Sequence, residues 1–245
     1  MTKPPFSLNI WLRSLAFWIV FPISIILFAL LLMLCAPFSM KVRWAVVQVW
    51  VGFILWWLKV TCNLTHEVQG LENIPSEPGI IYAKHQSTWE TIGLQTVFPM
   101  HVWVAKHELL WVPFFGWGLA LMNSIHIKRG TGKAAVRQLV TQGTERLKDG
   151  FWIVIFPEGT RSAAGAKGNY RIGGAVLAEQ SGYPLIPLAH NAGEYWPRRS
   201  FLKYPGVIQV RIGAPISPQG KKAQQLLEEA SGWIEDRMEE ITTLK

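Results

Sequence analysis

The chain has 245 residues, half of them hydrophobic and 13 of them tryptophan, and only 16% are charged, against about a quarter in ordinary soluble domains. Its formal charge of +8 is unevenly spread: residues 1–60 hold Lys3, Arg13, Lys41, Arg43 and Lys59 with no acid, while the other 19 basic residues face all 16 acids. A basic, apolar segment suits anionic lipid headgroups, and the lack of a basic, aromatic-interleaved groove or zinc-finger spacing argues against a nucleic-acid partner.

Residues 15–38, LAFWIVFPISIILFALLLMLCAPF, are long enough to cross a bilayer, which takes about 20 apolar residues. The run is too long for the core of a cleavable signal peptide, and no small-x-small site follows it cleanly. Pro22 and Pro37 are positioned to bend or end this helix. Residues 44–60, WAVVQVWVGFILWWLKV, form a second run of 17 residues. As a helix that run reaches about 25 Å, short of a hydrocarbon core of about 30 Å. Its tryptophans favour the membrane interface. Two spanning helices would carry Lys41 and Arg43 to the far side, against the positive-inside tendency. The expectation is therefore a membrane-embedded two-helix anchor over residues 1–60, entering one leaflet and returning, ahead of an α/β domain over residues 61–245. Cys35 and Cys62 imply no disulfide framework, so a reducing compartment is the default. Asn63-Leu64-Thr65 fits a glycosylation sequon, discounted as a chance match so close to the apolar segment.

The remainder alternates strands and helices. Residues 79–84, 101–106, 124–129, 151–156 and 184–191 read as short apolar strands, and 206–213 alternates like an edge strand. Helices are expected over 88–97, 113–122, 132–150, 173–182 and about 219–243. In the third of these, 132–150, Ala135, Val136, Leu139, Val140 and Leu147 share one face, and Gly150 supplies a stop. The fold class is α/β: an open mixed, largely parallel sheet flanked by helices, with the N-terminal hairpin at the membrane. Ligands of such sheets bind beyond the carboxyl ends of the strands.

Those strand ends carry the chemistry. His85 follows the first strand, with Glu90 five residues on; Lys106 ends the second; Arg129 ends the third; Pro157-Glu158-Gly159-Thr160-Arg161 follows the fourth. Ser87-Thr88-Trp89-Glu90 also fits a capping box, a bland alternative for Glu90. A capping box does not predict the company of cations and glycine at neighbouring strand ends. Arg161, Arg129 and Lys106 would make a strong anion site, since arginine forks match phosphate oxygens in pairs. A histidine, with an ordinary pKa of about 6.5, takes a proton near neutral pH, and a carboxylate beside it selects its tautomer. No G-x-S-x-G and no catalytic-cysteine signature accompanies them, so the nucleophile belongs to the substrate. The RGTGKA stretch at 129–134 lacks parts of a P-loop, and HELLW at 107–111 has Trp111 where a zinc motif needs histidine. His66, His101, His126 and His190 have no metal-ligand spacing and read as surface or packed residues, so no metal site is expected.

The blocks KHQSTWET (84–91) and FPEGTR (156–161) resemble those of the glycerolipid acyltransferases, specifically the bacterial 1-acylglycerol-3-phosphate acyltransferases. AKHELLWVPFFGW (105–117), IHIKRG (125–130), PLIPLAHN (184–191) and VRIGAPI (210–216) extend the resemblance over nearly all of residues 64–216. It implies transfer of a fatty acyl group from acyl-CoA or acyl carrier protein to the sn-2 hydroxyl of lysophosphatidic acid, giving phosphatidic acid. It implies no cofactor beyond the donor substrate and no acyl-enzyme. By the same resemblance His85 matches the family's base, and Glu90 stands where most members carry aspartate. Glu158, Gly159, Thr160 and Arg161 match the acceptor-binding block, with Lys106 and Arg129 assisting at the phosphate. Membrane lipids are implied partners, and the inner membrane, with the catalytic domain on its cytoplasmic side, is the implied location. Two other readings stay open: an acyltransferase for another lysolipid, such as a lysophospholipid or lyso-ornithine lipid, and a non-catalytic protein that binds anionic lipids.

Overall fold

The computed structural model describes residues 7–128 and 130–244. The two apolar runs form α1 (Leu8–Leu34) and α2 (Met40–Cys62). Ser7 caps α1, its hydroxyl accepting the Ile10 N–H at 3.2 Å. The helix runs on through Pro22 for three more turns, and Pro37 lies in the link beyond it. α2 has 23 residues rather than 17. At 1.5 Å per residue it reaches about 34 Å, so it is long enough to cross a bilayer and the expected shortfall in length does not hold. It also passes residue 60 and turns at Asn63, which adopts a left-handed φ of 50°.

The other elements are β1 (Leu64–Gln69), β2 (Ile80–Ala83), α3 (Glu90–Gly93), β3 (His101–Lys106), α4 (Phe115–Leu121), β4 (Ile125–Ile127), α5 (Lys133–Lys148), β5 (Trp152–Ile155), α6 (Gly173–Ser181), β6 (Leu185–His190), α7 (Ala192–Tyr195), β7 (Gly206–Ile212) and α8 (Ala223–Ile241). The helix expected over 88–97 is thus one α turn followed by a 3-10 turn at Leu94–Thr96. Seven strands form one sheet in the order β1-β7-β6-β2-β5-β3-β4. Neighbours are parallel except β6 and β7, which run antiparallel. The sheet is open, mixed and largely parallel, as expected. β7 is not an edge: β1, a strand the sequence reading missed, pairs along its whole length. The alternating burial of β7 reports which of its faces meets the core, not whether a neighbour fills its hydrogen-bonding side.

The period of two along each central strand divides the core into two layers. Ile80 and Tyr82 of β2 point to one side, with Ile153 and Ile155 of β5, and are covered by α5, α6 and α8. Ile81 and Ala83 point to the other, with Val154 and Leu188. There the cover is the hairpin itself: Phe17, Phe21, Val51, Ile54 and Leu58 belong to the same cluster and are all buried. The anchor is therefore one layer of the fold and shares its core.

Both ends of α2 are fastened to the sheet domain. At its start Arg43 donates through Nη1 to the Leu121 carbonyl at the end of α4. The Trp44 ring meets the His101 ring at a centroid distance of 5.0 Å, and Gln48 donates to the Gln95 carbonyl at 2.8 Å. At its end Cys62 leads directly into β1. His101 is buried at this junction, with Nδ1 donating to the Pro99 carbonyl at 2.9 Å. Burial pushes its pKa down to about 4, so it stays neutral while the unfolded chain takes up a proton near 6.5. The unfolded state then binds more protons between these values, and stability falls as pH drops through that window. By pH 5 the loss is about 2 kcal/mol. The melting temperature in detergent should therefore fall more between pH 7 and pH 5 for the wild-type chain than for His101→Phe. Equal slopes would show that His101 is not held neutral.

Candidate active site

β2 delivers two charged residues to opposite sides of the sheet. Continuing its alternation, Lys84 leaves on the side of α8 and His85 on the side of the hairpin. Lys84 is fully buried and pairs with Glu235 of α8 at 2.8 Å, with Glu158 at 3.7 Å. The Tyr170 hydroxyl donates to the same Glu235 oxygen at 2.6 Å. Burial of Glu235 is outweighed by Lys84 and Tyr170, which hold its carboxyl below the usual range.

His85 is held at four points. Its Nδ1 lies 2.8 Å from Glu90 Oε1. Its backbone N–H donates to Glu158 Oε1 at 2.9 Å, and its carbonyl accepts from the Ser162 N–H at 2.8 Å. Its ring stacks on Phe156, with centroids 4.1 Å apart and planes 13° apart. Phe156 in turn stacks on Trp103 of β3. The carboxylate can only accept, so the Nδ1–H donates and the lone pair of the imidazole sits on Nε2.

Glu90 is fully buried, and its Oε1 also accepts the N–H groups of Gln86 and Ser87, at 2.8 and 2.7 Å. The expected capping box does not form, because α3 begins at Glu90 with Trp89 before it; the Ser87 N–H contact is instead part of the turn leading into the helix. Fastening of the 86–87 backbone and orientation of the histidine are thus performed by one oxygen. Burial alone would push the Glu90 carboxyl up; the neighbouring His190 and His85 imidazoles and the Ser87 N–H outweigh it, and the net displacement is downward. His190 packs beneath, fully buried, with Nε2 2.8 Å from the Lys84 carbonyl and 3.9 Å from Glu90 Oε2. Burial pushes its pKa down, so it is a neutral packed histidine, as its sequence context suggested.

A cleft of about 230 Å³ opens beside His85, lined by Thr160, Arg161, Arg198 and Arg199. Gly159, with a left-handed φ of 68°, turns the chain from β5 so that Thr160 and Arg161 reach it. Two of the other expected phosphate ligands, Lys106 and Glu158, do not line it. Lys106 ends β3, half exposed and paired with Glu108 at 3.2 Å, and does not line the cleft. The strand-end rule brings a backbone position near the site but does not aim a long side chain. Glu158 turns its carboxylate inward onto the His85 backbone, only 5% exposed, and burial pushes its pKa up. It supports the histidine and presents no group to a phosphate. Arg129 lies outside the described residues. Sequence reasoning missed Lys84, Phe156, Arg198 and Arg199. The available signal for the last two was the pair itself, after Pro197, in a stretch from Tyr195 to Leu227 that contains no acid. Among the described residues no group of three or more His, Cys, Asp and Glu side chains could hold a metal ion.

Chemically, the cleft combines an oriented imidazole with a cationic wall. That arrangement can remove a proton from a hydroxyl on an anionic substrate. The comparisons agree with it. The acyltransferase family profile matches residues 65–191. A 1-acyl-sn-glycerol-3-phosphate acyltransferase of Pseudomonas aeruginosa is 46% identical over 212 residues, covering 85% of this chain and 82% of that one. One from Saccharomyces cerevisiae is 32% identical over 195 residues, covering 77% of this chain and 62% of that one. The crystal structure of the 1-acyl-sn-glycerophosphate (LPA) acyltransferase, PlsC, from Thermotoga maritima superposes with a TM-score of 0.79 at 22% identity, over 96% of both chains. On the strength of the family match and these relatives, with His85 and Glu90 held as a pair in its cleft, this chain belongs to the acyltransferase family.

Proposed function

We propose that the protein transfers a fatty acyl group from an acyl thioester, acyl-CoA or acyl carrier protein, to the sn-2 hydroxyl of 1-acyl-sn-glycerol-3-phosphate, making phosphatidic acid. The observation that carries this reading is the His85–Glu90 pair opening onto a cleft walled by arginine. The names of the relatives support the acceptor. His85 Nε2 takes the proton of the acceptor hydroxyl as its oxygen attacks the thioester carbonyl. The tetrahedral intermediate collapses, the C–S bond breaks, and the thiolate leaves with the proton returned from His85. Glu90 stabilises the imidazolium between the two transfers. Arg161 holds the phosphate.

An apolar cavity between the hairpin and the sheet suits an acyl chain. Ile25, Leu32, Trp44, Trp103, Phe115 and Met122 are among its walls. Trp103 is also the far plate of the stack that carries Phe156 and His85, so the cavity reaches toward the reacting atoms.

The hairpin rests in one leaflet under this reading, on the cytoplasmic side of the inner membrane. Its support is no longer the length of α2 but the attachment of Arg43, Trp44 and Gln48 to the sheet domain. A spanning α2 would separate that end from the domain by about 30 Å of hydrocarbon. The exposed apolar side chains continue from α1 onto the segment before and within α4, where Trp111 is 78% exposed and Trp117 44%. Tryptophans at that level suit the headgroup boundary.

Four measurements test these statements. Purified protein offered acyl-CoA and a panel of lysolipids should acylate lysophosphatidic acid fastest, with phosphatidic acid identified by mass spectrometry. Preference for a lysophospholipid or lyso-ornithine lipid would replace the acceptor, and no turnover with any donor would leave a lipid-binding protein. His85→Ala should lower turnover at least a hundredfold, within the range general-base catalysis supplies. Glu90→Gln keeps an oxygen for the Gln86 and Ser87 N–H groups but removes the charge, so turnover should fall by about a hundredfold or more with little change in melting temperature. Near-normal activity would reduce Glu90 to a fastening for the 86–87 backbone. Finally, a cysteine at Ser39, with Cys35→Ser and Cys62→Ser, should be labelled by an impermeant reagent only from the side of the catalytic domain in sealed vesicles. Labelling from the opposite side would establish two spanning helices.

A further inference from the structure

Arg198 and Arg199 sit at the tip of a loop, residues 196–203, that belongs to neither the sheet nor a strand end. One side of this loop forms the wall of the His85 cleft. Arg198 donates through Nη1 to the Arg161 carbonyl. The other side is fastened to α1. Trp18 Nε1 donates to the Phe201 carbonyl at 2.9 Å, and the Lys203 N–H donates to the Ser14 hydroxyl at 2.9 Å. The Lys203 amine is enclosed by the rings of Trp18, Trp196 and Phe17, at 4.0, 4.7 and 4.8 Å from their centroids. The Ser87 hydroxyl, two residues from His85, donates to the Trp196 carbonyl at 2.6 Å.

Two features of the tip are unfavourable by themselves. Arg161, Arg198 and Arg199 share one small cleft, and among the described residues none of the three has a carboxylate within 4.0 Å. Like charges so gathered repel unless an anion joins them. Arg199 also holds a left-handed φ of 58°, a conformation that costs a side-chain-bearing residue energy. Strain kept at the wall of a reactive cleft indicates a residue retained for what its side chain binds.

Resting on the function proposed above, we infer that Arg198 and Arg199 complete the phosphate site of the acceptor, acting with Arg161 as a three-guanidinium clamp mounted on the membrane helix. Lys106, which pairs with Glu108 and does not line the cleft, is not part of this clamp. The attachment to α1 identifies the acceptor, not the donor, as the bound anion. A lysolipid presents its phosphate at the membrane surface, where α1 lies, whereas the phosphates of a thioester donor arrive from water. A terminal phosphate monoester carries up to two charges, with a second pKa of about 6, and three oxygens for the forks. A headgroup diester offers one charge and fewer free oxygens.

The test uses full-length enzyme in detergent, with lysophosphatidic acid and lysophosphatidylethanolamine as acceptors and acyl-CoA as donor. Arg199→Gly removes the guanidinium and relieves the left-handed backbone. Arg198→Gln removes the second charge. Each should raise KM for lysophosphatidic acid on the order of tenfold or more, the usual effect of losing a charged hydrogen bond. The kcat and the donor KM should stay within about twofold. Arg199→Gly should melt at the wild-type temperature or above, which a merely structural arginine would not do. An acceptor KM within twofold of wild type overturns the inference. So does a parallel rise in both KM values with a lowered melting temperature. A wild-type enzyme that prefers the diester overturns the proposed acceptor instead, and the KM of that preferred acceptor still decides the role of the loop.

Discussion

One carboxylate oxygen organises the site. Glu90 Oε1 receives three donors, His85 Nδ1, the Gln86 N–H and the Ser87 N–H, all between 2.7 and 2.8 Å. A buried carboxylate costs several kcal/mol unless its charge is met. Here the backbone meets it by curling residues 85–87 around the oxygen. That curl sets the five-residue spacing between histidine and acid: the Ser87 N–H contact closes the turn before α3, and the chain turns far enough at Gln86 to bring His85 onto the same atom. The length of the glutamate side chain lets this one oxygen reach two backbone N–H groups and the imidazole together.

The alternation of β2 then decides what each neighbour does. Lys84 and His85 are adjacent in sequence and face opposite layers. The lysine ties the strand end to α8 through Glu235, and to the loop after β5 through Glu158, whose other contact is the His85 N–H. The histidine emerges on the hairpin side, between the aromatic stack and the arginine cleft. Breaking one partner of such a buried ionic network is more costly than its net contribution suggests, because the remaining charges stay in low dielectric. The network therefore stabilises one geometry of residues 84–87 over its alternatives.

Much of this was legible in the chain. Short apolar runs bounded by turns gave six of the strands nearly to the residue, and the contact of His85 with Glu90 was visible once neighbouring strand ends were read together. What was not legible has physical reasons. β1, LTHEVQ, carries only one fully buried residue, so its hydrophobic signal is faint and its pairing with β7 is a long-range fact. Lys106 sits where the strand-end rule puts it, yet its flexible stem turns to Glu108. Glu158 belongs to a block that suggests ligand binding, yet its side chain faces the protein. Arg198 and Arg199 follow no strand; contacts with α1, more than 180 residues away, determine where they lie. The Ser87 N–H contact and the His85 contact, posed as alternatives for Glu90, coexist because a carboxylate oxygen has room for several donors.

The hairpin shows why membrane attachment and active-site geometry are hard to separate in this fold. A tether would need only apolar residues on its outer face. These helices also supply Phe17, Phe21, Ile54 and Leu58 to the layer beneath the sheet. α1 grips the arginine loop, and the start of α2 grips α4 and the base of β3. The same two helices thus present exposed leucines and isoleucines to lipid and buried aromatics to the protein. A substrate whose tail is in the bilayer and whose phosphate is at its surface meets both sides of one rigid layer. The distance between its tail and His85 is then set by the packing of helix on sheet, an interior held at close-packed density, rather than by a flexible linker.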